Sequence, residues 1–192
     1  MTVLIDGEGM QVLGISGSMR KDGNTSRLVQ IILRQCEDKG LTTEFISLAG
    51  RDIHPCIGCE TCKLKHECSI TDDDWEDIAS RMLDCEVLVM GSPTYYYDVS
   101  GQLKNFIDRT YSYYHDRRLA GRKGVAVSVE ADKGGSRAIQ TIEGFLSAHE
   151  FSYLGHVKGK GYLAGDVQKD TDAIEHAKKI GDKIARLFHA AH

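Results

Sequence analysis

Cys56, Cys59, Cys62 and Cys68 put four of the chain's six cysteines within thirteen residues, at C-x2-C-x2-C-x5-C spacing. A loop this short can turn several thiols toward one soft metal centre. Three cysteines at two-residue intervals, then a fourth, is the kind of run that holds an iron–sulfur cluster. Zinc also accepts four thiolates, but structural zinc usually draws them from two separated C-x2-C knuckles. A third reading is a set of free or redox-active thiols with no metal. Cys36 and Cys85 stand apart, in helical patterns, and read as small buried hydrophobes.

Three more stretches carry chemistry. Ser16-Gly17-Ser18-Met19-Arg20, closing at Asn24-Thr25-Ser26, leads into a helix. Its free backbone N–H groups and hydroxyls suit a phosphate monoester, though an ordinary capped helix start would look the same. No Gly-Lys-Ser/Thr or G-x-G-x-x-G accompanies it, which disfavours ATP hydrolysis and a dinucleotide fingerprint. Pro93-Thr94-Tyr95-Tyr96-Tyr97 gathers flat rings with polar tips, suited to a planar ligand; for Tyr97 a surface or dimer contact serves equally. The stretch from Glu130 to Gly134-Gly135 lets backbone approach a ligand closely, or simply makes a turn. Asp72-Asp73-Asp74 has a structural reading, because Thr71 and Asp74 form a capping box ahead of a helix. Arg109, Tyr111, Tyr113, Tyr114 and His115 form an aromatic, polar helix end suited to a subunit interface or a lid. The eight histidines show no HExxH array, and His176, His189 and His192 read as solvated.

The elements that must position these residues alternate. Gln11–Ile15 reads as a strand, Thr25 to about Lys39 as a helix stopped by Gly40, and Thr42–Leu48 as a second strand. The cysteine-rich loop, about 54–71, follows. Helix Trp75–Leu83, strand Val87–Met90, a helix capped by Ser100 running to about Tyr114, and strand Gly124–Val129 come next. Helix Ser136–Ala148, strand Phe151–Val157 and helix Asp170–His189 complete the chain. This order predicts an α/β fold of flavodoxin-like type: a five-stranded parallel sheet, order 2-1-3-4-5, with helices on both faces. All the loops singled out follow strands, so they converge at the carboxyl edge. Residues 1–9 read as a loose leader or short edge segment.

The 192 residues, 41% apolar, suit a single domain with a sizeable core. A net charge of −4 gives no basic footprint for nucleic acid. No apolar run reaches the ~20 residues of a membrane span. No basic segment precedes an apolar one as in a signal peptide, so the expected location is cytoplasmic.

Gly14-Ile15-Ser16-Gly17-Ser18 with Gly23-Asn24-Thr25, the cysteine run with trailing Asp72-Asp73, and Gly91-Ser92-Pro93-Thr94-Tyr95-Tyr96 resemble the NADPH-dependent FMN reductase superfamily. Its iron–sulfur flavoprotein branch is the most similar, over about residues 11–155. The resemblance implies FMN with its phosphate at Ser16, Ser18, Arg20, Asn24, Thr25 and Ser26. It places the ring near Pro93, Thr94, Tyr95 and Tyr96, assisted by Glu130, Gly134 and Gly135. It also implies a [4Fe–4S] cluster on Cys56, Cys59, Cys62 and Cys68, and a homodimer or tetramer in which each cluster lies close to a neighbour's FMN. Met19 stands where the family often has Pro, and His66 where it often has Gly. The expected function is redox: electrons pass between a one-electron donor such as ferredoxin and an acceptor, with no catalytic acid or base. The alternatives are a flavin-only NAD(P)H-dependent FMN or quinone reductase and a thiol-based redox sensor.

Overall fold

The computed structural model describes residues 10–190. The leader expected at residues 1–9 and His192 lie outside them. Five strands form one parallel sheet in the order β2-β1-β3-β4-β5. They are β1 (Val12–Ser16), β2 (Thr43–Ser47), β3 (Val87–Pro93), β4 (Lys123–Glu130) and β5 (Ser152–Lys160). The helices are α1 (Asn24–Glu37), α2 (Cys62–Lys65), α3 (Trp75–Asp84), α4 (Gly101–Arg109), α5 (Tyr111–Tyr114), α6 (Gly135–Ala148) and α7 (Thr171–His189). The expected strand order and the alternation of strands and helices are as found.

Strand side chains alternate between two apolar layers, because successive residues of a strand face opposite sides. On one face Leu13, Ile15, Leu88 and Met90 pack with Trp75, Met82, Leu103 and Phe106. On the other, Val12, Val87, Val89 and Val127 pack with Leu28, Val29, Ile32 and Ile184. With both faces covered, β1 is buried along its whole length, which explains its continuous apolar sequence. In register, Ser16 stands between Ser47 and Gly91, so the loops after β1 and β2 leave the sheet at one level and β3 runs two residues further before its own loop.

Local signals perform as expected at several ends. Ser100 caps α4 by accepting from Leu103 N. Asp170, read from sequence as the first residue of the last helix, stands just outside α7 and caps it by accepting from Ala173 N. Gly40 adopts φ +84° just past α1. Cys36 and Cys85 are buried, and His176 and His189 are exposed.

Two expectations fail. The capping box does not form: the Asp74 side chain makes no cap bond to α3 and instead accepts from Asp52 N. Asp73 Oδ1 takes Trp75 N, and its other oxygen takes His54 N and the Arg109 guanidinium. Backbone donors at Asp52 and His54 and the buried Arg109 each take an oxygen of these carboxylates, and of the two only Asp73, through Oδ1, reaches the first N–H of α3. The long helix through Tyr114 is also divided. Thr110 N bonds back to Ile107 O, and its hydroxyl donates to the same carbonyl at 2.7 Å, which tightens the turn between α4 and α5. Arg109 and Tyr113 are accordingly core residues, with Tyr113 donating to Glu76. Tyr111 and Tyr114 stay exposed.

His149, after α6, seals one end of this core. The Thr110 hydroxyl hydrogen is committed to Ile107, so Thr110 Oγ1 accepts from His149 Nε2 at 2.9 Å. His149 Nδ1 is buried with no hydrogen-bond partner among the described residues, and burial lowers the imidazole pKa to about 4. A neutral native histidine that must be protonated on unfolding contributes stability above its unfolded pKa of about 6.5. That contribution is lost as pH falls from about 6.5 toward 4. Urea unfolding should therefore show a loss of roughly 3 kcal/mol across that window, and His149→Gln should flatten this part of the profile.

Candidate functional site

The phosphate-type loop is assembled by β1 and α1. Gly23 caps α1 without a side chain, so the first N–H groups of the helix have no cap partner. A Cβ at Gly23 would stand 2.3 Å from Ser18 Oγ, so the close approach of this turn requires glycine. Ser18, Arg20, Asn24, Thr25, Pro93, Thr94 and Tyr95 together line a cavity of about 160 Å³. These seven are the residues expected from sequence that meet directly. Ser16 and Ser26 lie behind them, hydroxyl to hydroxyl at 3.0 Å. Tyr96 does not join them: its side chain is 98% exposed. Glu130, Gly134 and Gly135 do not border the cavity but shape its wall. Glu130 Oε2 accepts from Gly135 N at 2.7 Å, which fixes the turn. Gly134, at φ +101°, packs against Thr94 and the Tyr97 backbone, where a Cβ would come within 2.8 Å of both.

Asn24 has a different employment from the one expected. Its amide donates to Leu163 O and accepts from Gly165 N and Val167 N, tying the segment after β5 to the cavity. Arg20 likewise donates to Tyr162 O at 2.8 Å. Gly161 and Tyr162 thereby become cavity walls that the sequence reading missed. The glycine-rich run Gly159-Lys160-Gly161-Tyr162-Leu163-Ala164-Gly165 was the available signal. Thr94 Oγ1 is buried beside this cavity and has no hydrogen-bond partner among the described residues. An orphaned hydroxyl and uncapped helix N–H groups form a site that wants a polyoxygenated anion.

Within the cysteine-rich loop the chain turns over through three left-handed residues, Gly58, Glu60 and His66. His66, at φ +55°, ends α2 in the αL conformation. The position does require positive φ, and Arg118 steadies it by donating to His66 O at 2.7 Å. The turns direct Cys56, Cys59, Cys62 and Cys68 to a single cavity of about 130 Å³, completed by Ile57, Ile70, Arg109, Tyr111 and Ser112. Among the described residues, no three His, Cys, Asp or Glu side chains stand close enough to share one metal ion. Four thiols around one cavity are a donor set suited to a multi-iron cluster, in which each iron takes its own thiolate.

The thiols differ. Cys59 is brought to a pKa of about 7 by hydrogen bonding from Ser69, whose hydroxyl lies 3.0 Å away, and from Thr61. Burial raises Cys62. Burial pushes Cys36 and Cys85 up to about 12.

A doubly wound parallel sheet with an anion-suited cleft at the β1–β3 switch point defines a flavodoxin-like protein. Residues 10–162 match the family described as NADPH-dependent FMN reductase, and the chain belongs to that family. It is an FMN-dependent oxidoreductase. It is 37% identical to an "Iron-sulfur flavoprotein" of Methanocaldococcus jannaschii, a match covering 93% of this chain and 97% of the relative. An "Iron-sulfur flavoprotein" of Archaeoglobus fulgidus is 32% identical, over 94% of this chain and 81% of that one. Among solved structures, the "Trp Repressor Binding Protein from Bacillus subtilis" superposes with a TM-score of 0.68 at 24% identity, covering 88% and 97% of the two chains. That likeness is one of fold.

Two outcomes follow from the geometry. Thr94→Val should weaken FMN binding roughly 3- to 10-fold in a fluorescence titration, the worth of one neutral hydrogen bond. It should leave the flavin-free protein no less stable in urea, because an unsatisfied buried hydroxyl is removed. In reduced, metal-free protein at pH 7.5, mass spectrometry should find Cys59 alkylated first. Cys36 and Cys85 should resist until unfolding.

Proposed function

We propose that this single-domain protein binds FMN at the β1–β3 cleft and a [4Fe–4S] cluster on Cys56, Cys59, Cys62 and Cys68, and passes electrons between a one-electron donor such as ferredoxin and a small-molecule acceptor. The observation that carries this reading is the convergence of all four thiols on one cavity, next to a fold that holds FMN. The names of the archaeal relatives support it. When bound, the two groups would supply one- and two-electron chemistry in a single assembly.

The chain's own residues bind, orient and shield. Ser18, Thr25 and the N–H groups of α1 suit the phosphate, with Ser16 and Ser26 holding the loop from behind. Arg20 and Asn24 keep the Gly161–Val167 segment against the cleft. Pro93, Thr94 and Tyr95 present a wall of ring and methyl surface to the flavin ring, supported from below by Gly134. Exposed Tyr96, Tyr111 and Tyr114 offer aromatic surface for assembly into a homodimer or tetramer. Among the described residues no helix is long and apolar enough to cross a membrane, which fits the expected cytoplasmic setting.

The second reading keeps FMN and omits the cluster, with NAD(P)H as donor. The description of the family itself favours it. Anaerobic purification with iron, sulfide and flavin assays separates the two. The proposal expects about four irons per FMN, in keeping with a [4Fe–4S] centre, and flavin reduction by reduced ferredoxin faster than by NAD(P)H. Bound FMN with substoichiometric iron after reconstitution, together with rapid NAD(P)H oxidation, would sink the cluster reading in favour of the flavin-only one.

A further inference from the structure

Arg109 is the most completely buried cation of the described chain, with its side chain 0% exposed. It nevertheless borders the cavity ringed by the four cysteines. Its Nη1 donates to Asp73 and, at 3.5 Å, to His54 O; its Nη2 donates to Ile70 O at 2.8 Å. His54 precedes Cys56 and Ile70 follows Cys68, so one guanidinium holds both ends of the cysteine loop. The Trp75 ring lies against it, 4.8 Å from centroid to Cζ, and fixes its plane. One donor is left over: Nε is buried and has no partner among the described residues. A guanidinium has no acceptor and stays charged, so this N–H calls for an electron-rich partner, and the cysteine cavity that Arg109 borders offers room for one. Asn105, on the same helix, spends its amide on Ile53 O and does not compete for that place.

We propose that Arg109 is a positioning residue that sets the reduction potential of the cluster, donating Nε–H to a sulfur at the cysteine cavity while tying down the loop that carries the thiolates. The inference rests on the cluster reading above. Reduction adds one electron to an already anionic centre. A neighbouring cation and a hydrogen bond to sulfur both favour the more negative form and raise the potential. Asp73 opposes part of this effect, because its carboxylate offsets the guanidinium charge. The two residues therefore predict shifts of opposite sign, a pattern that loop support alone would not produce.

The test is the cluster midpoint potential of the anaerobically reconstituted, FMN-loaded full chain, titrated with dithionite and followed by electron paramagnetic resonance. Iron and sulfide are counted in each sample. Arg109→Gln should disfavour cluster reduction about tenfold, which is about 59 mV downward for one electron, with the flavin midpoint unmoved. Asp73→Asn, which keeps an acceptor for Arg109, should raise the cluster midpoint at least twofold in equilibrium constant. A midpoint within twofold of the parent in both variants overturns the assignment. If Arg109→Gln takes up no cluster, Asp73→Asn decides alone: an upward shift supports the role, and an unchanged midpoint rejects it. Parent protein that holds FMN but no iron overturns the underlying cluster reading as well, and that failure is recognisable because it precedes any substitution.

Discussion

The ion pair between Arg109 and Asp73 ties the cysteine-rich loop to α4, alongside the bonds from Asn105 to Ile53 O and from Arg118 to His66 O. Both side chains are withdrawn from solvent, at 0% and 1% exposure. A buried pair is not in itself a source of stability, since desolvating two charges offsets their attraction. Leaving either charge alone is the severe case, at about 3–5 kcal/mol. Burial acts to raise the Asp73 carboxyl, yet bonds from Arg109, His54 N and Trp75 N outweigh it and hold the pKa below the usual range. The pair's contribution is thus present above the ordinary carboxylate pKa and lost as pH falls through it. Arg109 projects from the end of α4, which packs on the sheet, while Asp73 closes the cysteine-rich loop. The ion pair therefore sets where the thiols sit relative to the sheet.

The cleft is built by a similar economy of side chains, each loop being held by its neighbour. Asn24 secures the segment after β5, Glu130 the Gly135 turn, and Ser100 the Gly17 carbonyl at 2.7 Å. Asp98 accepts from Thr141 and from Val99 N, anchoring the tyrosine turn to α6. With these groups committed, the donors left for a ligand include the uncapped N–H groups of α1 and the Thr94 hydroxyl. A site whose supports are fixed in advance loses little entropy on binding, the condition under which modest hydrogen bonds yield useful affinity.

Local strain is concentrated at both sites. Tyr96 and Tyr97 occupy the middle of a two-residue turn, with φ of 48° and 70°, between Tyr95 and Asp98, whose backbones exchange two hydrogen bonds. Such turns favour Asn-Gly, because a side chain in the left-handed region costs about 1–2 kcal/mol. Glu60 and His66 repeat the pattern in the cysteine loop. Strained residues persist where surrounding contacts over-determine them, and here those contacts are the Asp98 anchor and the Arg118 bond to His66 O.

Much of this was legible in the residues themselves. Strand order, the Ser100 cap, the inert Cys36 and Cys85, and the grouping of Ser18, Thr25, Thr94 and the cysteines follow from period, turn chemistry and spacing. Those are local properties, written within a few neighbouring residues. What the chain order could not reveal is which distant group claims each polar side chain. Thr71 and Asp74 have capping-box spacing, but loop backbone and Arg109 take the carboxylates. Asn24 has the position of a phosphate ligand, but residues 163–167 take its amide. Arg109 ends an amphipathic helix, and only folding shows it enclosed between Trp75, Asp73 and the cysteine cavity. Polar partners are chosen by proximity in three dimensions, where one hydrogen bond outweighs a local preference of similar size, so the tertiary structure alone decided them.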